Sequence, residues 1–222
     1  FVTCQKTLGK YIKYGCKQAV CLYPGFDPQI NYLIDNIDID DYATYTCDIS
    51  ICCTNLYENI EIYPNQYVNR KLLVDDIYNN QEIHNYKFHI YGPEKFKELY
   101  PKSYRGFVKY ENLNKIFNYS KINLCTHVLN NKYGYMNERV ILIGGSGGLI
   151  FMDYVEGIEN MFSLNKEIII FDKHQYIDQI RTILNNYDQY INVRKKMLEK
   201  CINAFTYDCW ADTIVTKINN IL

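Results

Sequence analysis

The sequence predicts an α/β protein built on a Rossmann-like parallel sheet flanked by helices, and three observations predict it. Short apolar runs rich in β-branched residues recur along the chain, among them CDISICCT, KFHIYG and KINLCTH. Segments with helical spacing stand between them, such as YVNRKLLVDDIYNN and ENLNKIFNYS. The strand runs are continuously apolar rather than alternating, the pattern of a sheet covered on both faces.

The elements follow in order. FVTC, QKTLGKYIKYG and AVCLYP read as a small strand–helix–strand unit, so residues 1–28 are expected to be the remnant of an N-terminal α/β domain. The next stretch is acidic, with Gly and Pro at its start, and residues 29–46 read as a linker. The main domain, 47–206, should carry strands at 47–54, 87–92, 105–110, 121–127, 149–154 and 166–172. Helices are expected over 67–80, 93–100 and 111–120, the last with Leu113, Ile116 and Phe117 on one side. Two longer helices read over 174–187 and 188–205, and a C-terminal helix over 207–222.

Composition limits what such a domain does. The net charge of −1 over 222 residues counts against a nucleic-acid binder, which needs a basic excess to neutralise phosphates. No apolar stretch approaches the ~20 residues that span a bilayer, and the start lacks the apolar core of a secretory signal. Nine cysteines form no C-x-x-C and sit mostly inside apolar runs, which implies a reducing, cytoplasmic setting.

The most distinctive segment is YGYMNERVILIGGSGGLIFMDY, residues 133–154. It has neither G-x-G-x-x-G nor G-K-[ST], which excludes the dinucleotide and Walker phosphate loops. Gly144 to Gly148 does match the nucleophile turn G-x-S-x-G, with Ser146 as nucleophile and Asp172 and His174 in the right chain order. That turn demands a helix afterwards, whereas LIFMDY reads as a strand. Of the four histidines only His127 stands close to a cysteine, Cys125, too few ligands for a zinc site. In a third reading Asn137 caps a helix opened by Glu138 and Arg139 and stopped at Gly147, with Gly134 allowing close backbone approach upstream. Such a helix start would attract a diphosphate. A capped surface helix with no ligand fits the same residues, and the residues alone leave the two open.

Residues 121–185 resemble the C-terminal half of group-1 glycosyltransferases of the GT-B fold, most closely the CgeB-like (spore maturation protein-like) branch. The match runs through Gly134, Asn137-Glu138-Arg139-Val140, Gly147, Asp153-Tyr154, Gly157, Glu159, Phe162 and Lys166-Glu167-Ile168. Softer matches upstream include Arg70, Tyr91-Gly92 and Gly106-Phe107-Val108. One departure stands out, because the glutamate that holds the donor ribose in that family falls at Leu142.

The resemblance implies transfer of a sugar from a nucleotide-diphosphate donor, UDP-linked by expectation, to a glycan or protein acceptor without a metal or other cofactor. Arg139 would stabilise the departing diphosphate together with the Asn137–Arg139 backbone, and Arg70 would assist. Tyr91, Gly92, Phe107 and Val108 would surround the base, and Gly134 would let the donor approach. With Leu142 unable to accept hydrogen bonds, Glu138, Asp153 and Glu159 are the acids expected near the ribose. The resemblance also implies that the acceptor side lies on a missing N-terminal domain, so that this chain is the donor half. An inactive nucleotide-sugar binding module and a serine hydrolase built on Ser146 remain the alternatives.

Overall fold

A computed structural model describes residues 1–220. Its core is one five-stranded, all-parallel sheet in the order β2-β1-β3-β4-β5: β1 Cys47–Cys52, β2 Phe88–Tyr91, β3 Ser120–Cys125, β4 Ile150–Met152 and β5 Ile169–Ile170. The helices are α1 Leu8–Lys13, α2 Ile39–Tyr45, α3 Arg70–Asn80, α4 Lys95–Leu99, α5 Leu113–Tyr119, α6 Glu138–Gly145, α7 Tyr176–Asn185, α8 Ile191–Ala204 and α9 Tyr207–Asn219. They cover both faces of the sheet, giving one apolar cluster on each side. The expected Rossmann-like architecture is therefore the observed one.

The central strands are buried because both of their faces meet helices. Ile49, Ile51 and Ile122 are at most 1% exposed, each contributing about 1.5–3 kcal/mol of burial. Helix α7 has Tyr176, Ile180 and Ile183 buried at positions i, i+4 and i+7. Helix α6 is buried almost all round, from Val140 to Gly145. It ends in a Schellman motif: the N–H of Gly148 donates to the carbonyl of Ile143 and the N–H of Gly147 to that of Gly144, with Gly147 at φ +71°. GGSGG thus ends a helix and leads into β4.

Three expectations change. Residues 105–110 form no strand. Tyr104 makes a single bridge to Ile90, Gly106 then turns the chain at φ +89°, and Phe107 is left 71% exposed. The segment 29–46 contains helix α2, capped by Asp38, whose carboxylate accepts from the N–H groups of Asp40 and Asp41. At the N-terminus only α1, a short 3-10 turn and isolated bridges such as Val2 to Cys21 form, so the two strands expected there are absent among the described residues. The expected C-terminal helix runs 207–219 as α9, and its last residues, 221–222, lie outside the described range.

The chain ends are fastened to the sheet's helical layer by close packing at glycine. Phe26, fully buried, exchanges backbone hydrogen bonds with Phe205 and Tyr207, and the Trp210 indole donates to the carbonyl of Tyr23. A Cβ on Gly145 would meet the Phe26 ring at 2.5 Å, and one on Gly144 would meet the Cys201 sulfur at 2.6 Å. Gly145→Ala should therefore destabilise by about 1–3 kcal/mol through overpacking, outweighing its helix-propensity gain of about 1 kcal/mol. Gly9→Ala, in α1 with nothing within 4 Å, should instead stabilise by about 0.4–1 kcal/mol. Urea melts of the two variants measure both signs.

Candidate functional site

In an open parallel sheet, ligands sit beyond the carboxyl ends of the strands, at the point where strand order reverses. Here that point lies between β1 and β3, because β2 flanks β1 on the other side. A cleft of about 370 Å³ opens there. Cys52 and Cys53 reach it from the end of β1, Tyr91 and Gly92 from the end of β2, Arg70 from the start of α3 and Arg139 from the first turn of α6. Phe107, Val108 and Tyr110 close its outer wall. Six residues selected from the sequence, Arg70, Tyr91, Gly92, Phe107, Val108 and Arg139, thus share one cavity.

The two arginines dominate its electrostatics. Arg70 is 3% exposed. Its Nε donates to Thr126 Oγ1, its Nη1 to the carbonyl of Asn55 at 2.8 Å and its Nη2 to the carbonyl of Thr126 at 2.8 Å. The guanidinium also lies over the Tyr57 ring, 4.6 Å from its centroid. Arg139, half-buried, donates from Nη1 to the carbonyl of Cys52 and from Nη2 to that same Thr126 oxygen at 3.5 Å. Among the described residues neither makes a salt bridge to a carboxylate. Burial, and then the like charge of Arg139, lowers the pKa of Arg70. Burial pushes the thiols of Cys52 and Cys53 up, and the neighbouring guanidiniums pull the other way. Two cations with only neutral partners in a cleft form a site for an anion.

The remaining candidates are distributed differently. Asn137 stands at the N-cap of α6, but its side chain caps nothing; it donates to the carbonyl of Thr126 at 3.1 Å and accepts from the Cys125 thiol. The backbone N–H groups of Glu138 and Arg139 consequently have no protein partner among the described residues, which leaves the positive end of α6 open. Glu138 is exposed at the start of α6 and stands outside the cleft lining. Gly134 is not an approach for a ligand: at φ +65° it lies against Gln5, whose Cβ would stand 2.8 Å from an added methyl. Asp153 is also not free for a ribose. It is 1% exposed, and its carboxylate accepts from the His127 N–H at 3.1 and 2.9 Å, from His127 Nδ1 at 2.7 Å and from Asn130 Nδ2 at 2.8 Å. Glu159 lies outside the cleft lining and accepts from the Tyr154 hydroxyl. Leu142, where the resemblance puts the family's glutamate, is 3% exposed in the apolar core.

The hydrolase reading is overturned. Ser146 is fully buried at a helix end, where its hydroxyl accepts from Asn31 Nδ2 at 3.2 Å. His174 is exposed, and its backbone N–H donates to Asp172 Oδ1 within a local turn. Among the described residues no three His, Cys, Asp or Glu side chains gather as metal ligands. A larger cavity, about 650 Å³, lies at the opposite, amino edge of the sheet. There Lys121 is paired with Asp48 at 2.8 Å, and Arg194 donates to the carbonyl of Gly147 and the hydroxyl of Tyr187; position at the carboxyl ends of the strands is what singles out the smaller cleft. What the sequence reading missed is the polar pair Thr126-His127 with Asn130. Thr126-His127 directly follows the apolar run of β3, and the abrupt change from apolar to polar was the available signal.

Comparison with known proteins follows this geometry. The model of the family described as Glycosyl transferase-like matches residues 70–216. No curated protein matches the chain. Among solved structures, sucrose-phosphate synthase from Thermosynechococcus elongatus superposes with a TM-score of 0.69 at 13% identity, covering 99% of this chain and 57% of that one. HepE from Anabaena, solved in complex with UDP, gives a TM-score of 0.69 at 9% identity, covering 99% of this chain and 63% of that one. The C-terminal domain of a group 1 family glycosyl transferase from Francisella tularensis gives 0.59 at 8% identity, covering 82% of this chain and 99% of that one. The fold is thus the Rossmann-like C-terminal half of the GT-B architecture. The chain spans about three-fifths of the length of the first two proteins.

The unneutralised guanidiniums give a direct expectation. Inorganic pyrophosphate should raise the melting temperature of this protein, and less so as ionic strength rises. Arg139→Gln should weaken pyrophosphate binding by about tenfold or more, equivalent to about 1.4 kcal/mol. Thermal-shift titrations at two salt concentrations measure both.

Proposed function

This chain belongs to the Glycosyl transferase-like family, and on that premise we propose that its cleft holds the diphosphate of a nucleotide sugar, UDP-linked, for transfer of the sugar to a glycan or protein acceptor. The observation that carries the reading is the pair of guanidiniums, Arg70 and Arg139, which meet at the Thr126 carbonyl with no carboxylate to cancel them. The reading places the chain in the CgeB-like branch through the run from Gly134 to Ile168.

Bond cleavage at the anomeric carbon leaves growing negative charge on the departing diphosphate. Donors fixed before the reaction stabilise that charge without reorganising. In this reading Arg139 and the open N–H groups of Glu138 and Arg139 face the β-phosphate, and Arg70 adds charge from beneath. The arginines supply the positive charge, and the proposed transfer is metal-independent. The base lies between Tyr91-Gly92 and Phe107-Val108. Glu138, exposed beside Arg139 in the first turn of α6, takes the ribose hydroxyls. The acceptor is assigned to a further α/β domain of the same protein, in keeping with the coverage of the solved neighbours. Within the chain, the proposed division is a remnant of that domain at 1–28, a linker at 29–46, the donor domain at 47–206 and a closing helix from 207.

No helix among the described residues is long and apolar enough to cross a membrane. Nine unpaired cysteines support a reducing, cytoplasmic setting in this proposal.

One observation favours a second reading. Leu142 buries an alkyl side chain where the family's ribose-binding glutamate stands, which fits a module that binds nucleotide sugar without transferring it. Calorimetric titration with UDP, GDP and their sugars tests both. We expect saturable binding of one nucleotide, weakened about tenfold or more by Arg139→Ala. Glu138→Gln should weaken the nucleotide but leave pyrophosphate within about twofold. Sugar transfer by the full-length protein would remove the second reading, and absence of binding by every nucleotide would remove the first.

A further inference from the structure

We propose that Asp153 and His127 are positioning residues for the anion site, fixing the peptide between Thr126 and His127 and, through its carbonyl oxygen, aiming the guanidiniums of Arg70 and Arg139. The identity of the anion rests on the donor-site reading above; the positioning itself rests on the hydrogen bonds alone.

The peptide is gripped at both ends. Its N–H, from His127, donates to both oxygens of Asp153 at 3.1 and 2.9 Å. Its carbonyl, from Thr126, accepts from Arg70 Nη2 at 2.8 Å, Asn137 Nδ2 at 3.1 Å and Arg139 Nη2 at 3.5 Å. A peptide unit is planar, so fixing the direction of its N–H fixes the direction of its C=O. The carboxylate on one side of this plane therefore sets the acceptor on which both arginines converge.

Asp153 is itself held firmly. His127 Nδ1 and Asn130 Nδ2 reach it at 2.7 and 2.8 Å, and the His127 and Asp153 side chains are 0% and 1% exposed. Asn130 in turn donates to the carbonyl of Tyr154 at 2.7 Å and accepts from the Tyr67 N–H at 2.8 Å, tying the strand-end loops of β3 and β4 to the approach to α3. A carboxylate buried this far is costly unless donors saturate it. These donors come from the two loops that carry the site. The bond to Asp153 places the His127 proton on Nδ1, and His127 Nε2 has no partner. The ring thus acts through Nδ1, packed edge-on against Tyr135 at 5.8 Å. Asp153 also contributes charge, since it favours the protonated form of Arg70 against burial and against Arg139.

Two readouts test the proposal. Proton exchange at Arg70 Nε, followed by NMR without ligand, reports whether the guanidinium is still held on Thr126. Titration with inorganic pyrophosphate reports the anion site. In Asp153→Asn, whose new NH₂ group confronts the His127 N–H, we expect Arg70 Nε–H to exchange about tenfold faster and pyrophosphate affinity to fall about tenfold, as outer-shell losses do. Backbone amides of β1 and β3 should keep their protection. His127→Asn retains a donor near the Nδ1 position and should stay close to wild type, whereas His127→Ala should behave like Asp153→Asn. The proposal is overturned if Asp153→Asn leaves both readouts within about twofold of wild type. If that variant does not fold, the His127 pair decides, and equal behaviour of Ala and Asn overturns it. Faster Arg70 exchange in Asp153→Asn, alongside a wild type that binds no pyrophosphate, supports the positioning and removes only the donor reading.

Discussion

Two guanidinium groups meet at one carbonyl oxygen, that of Thr126, and no carboxylate stands within salt-bridge distance of either among the described residues. Like charges in a partly desolvated cleft repel, and the surrounding structure holds them there with neutral acceptors alone. The carbonyls of Asn55, Cys52 and Thr126 satisfy the N–H groups without cancelling the charge. Asp153, the buried acid closest to this peptide, is taken up by the His127 and Asn130 donors. A surface ion pair would have removed the field at little gain in stability. Its absence leaves the positive charge of the cleft uncancelled, the feature on which the proposed diphosphate site rests.

That arrangement depends on the fold at two levels. Parallel order 2-1-3-4-5 brings the ends of β1 and β3 together at the switch point, so Cys52 and Thr126 become neighbours of the same guanidinium. Helix α6 must then come close enough for Arg139 to reach both. At its other end Gly144 and Gly145 let Met197, Cys201 and Phe26 sit against the helix backbone, which fixes α6 within the helical layer. The glycine cluster that looks like a phosphate loop in the sequence therefore works at the far end of the helix from the charge.

Much of this was legible beforehand. Within 47–206 the continuous apolar runs marked five of the six expected strands, because burial on both faces leaves a plain compositional mark; the two expected in 1–28 lack that burial. The exception, 105–110, has the right residues but no partner strand beyond Ile90, and Gly106 turns it away; pairing is a tertiary fact that local composition does not carry. In the site, Arg70, Tyr91, Gly92, Phe107, Val108 and Arg139 came from the family resemblance, and they share one cleft because the matched positions fall at strand and helix ends. Gly134 and Asp153 were misjudged for a common reason. A glycine's open space and an acid's lone pairs advertise a ligand, but Gln5 fills the one and His127 with Asn130 fill the other, through contacts between residues far apart in the chain. Asn137 likewise has the residue type of a cap, yet the Thr126 carbonyl takes its amide.

The central claim concerns where a diphosphate sits, and a crystal structure of this protein grown with UDP tests it most directly. The account predicts the β-phosphate within hydrogen-bond distance of Arg139 and of the first-turn N–H groups of α6, with Asp153 still bonded to His127. A nucleotide seated instead at the amino edge of the sheet, beside Asp48 and Lys121, or phosphates turned away from both arginines, would contradict it.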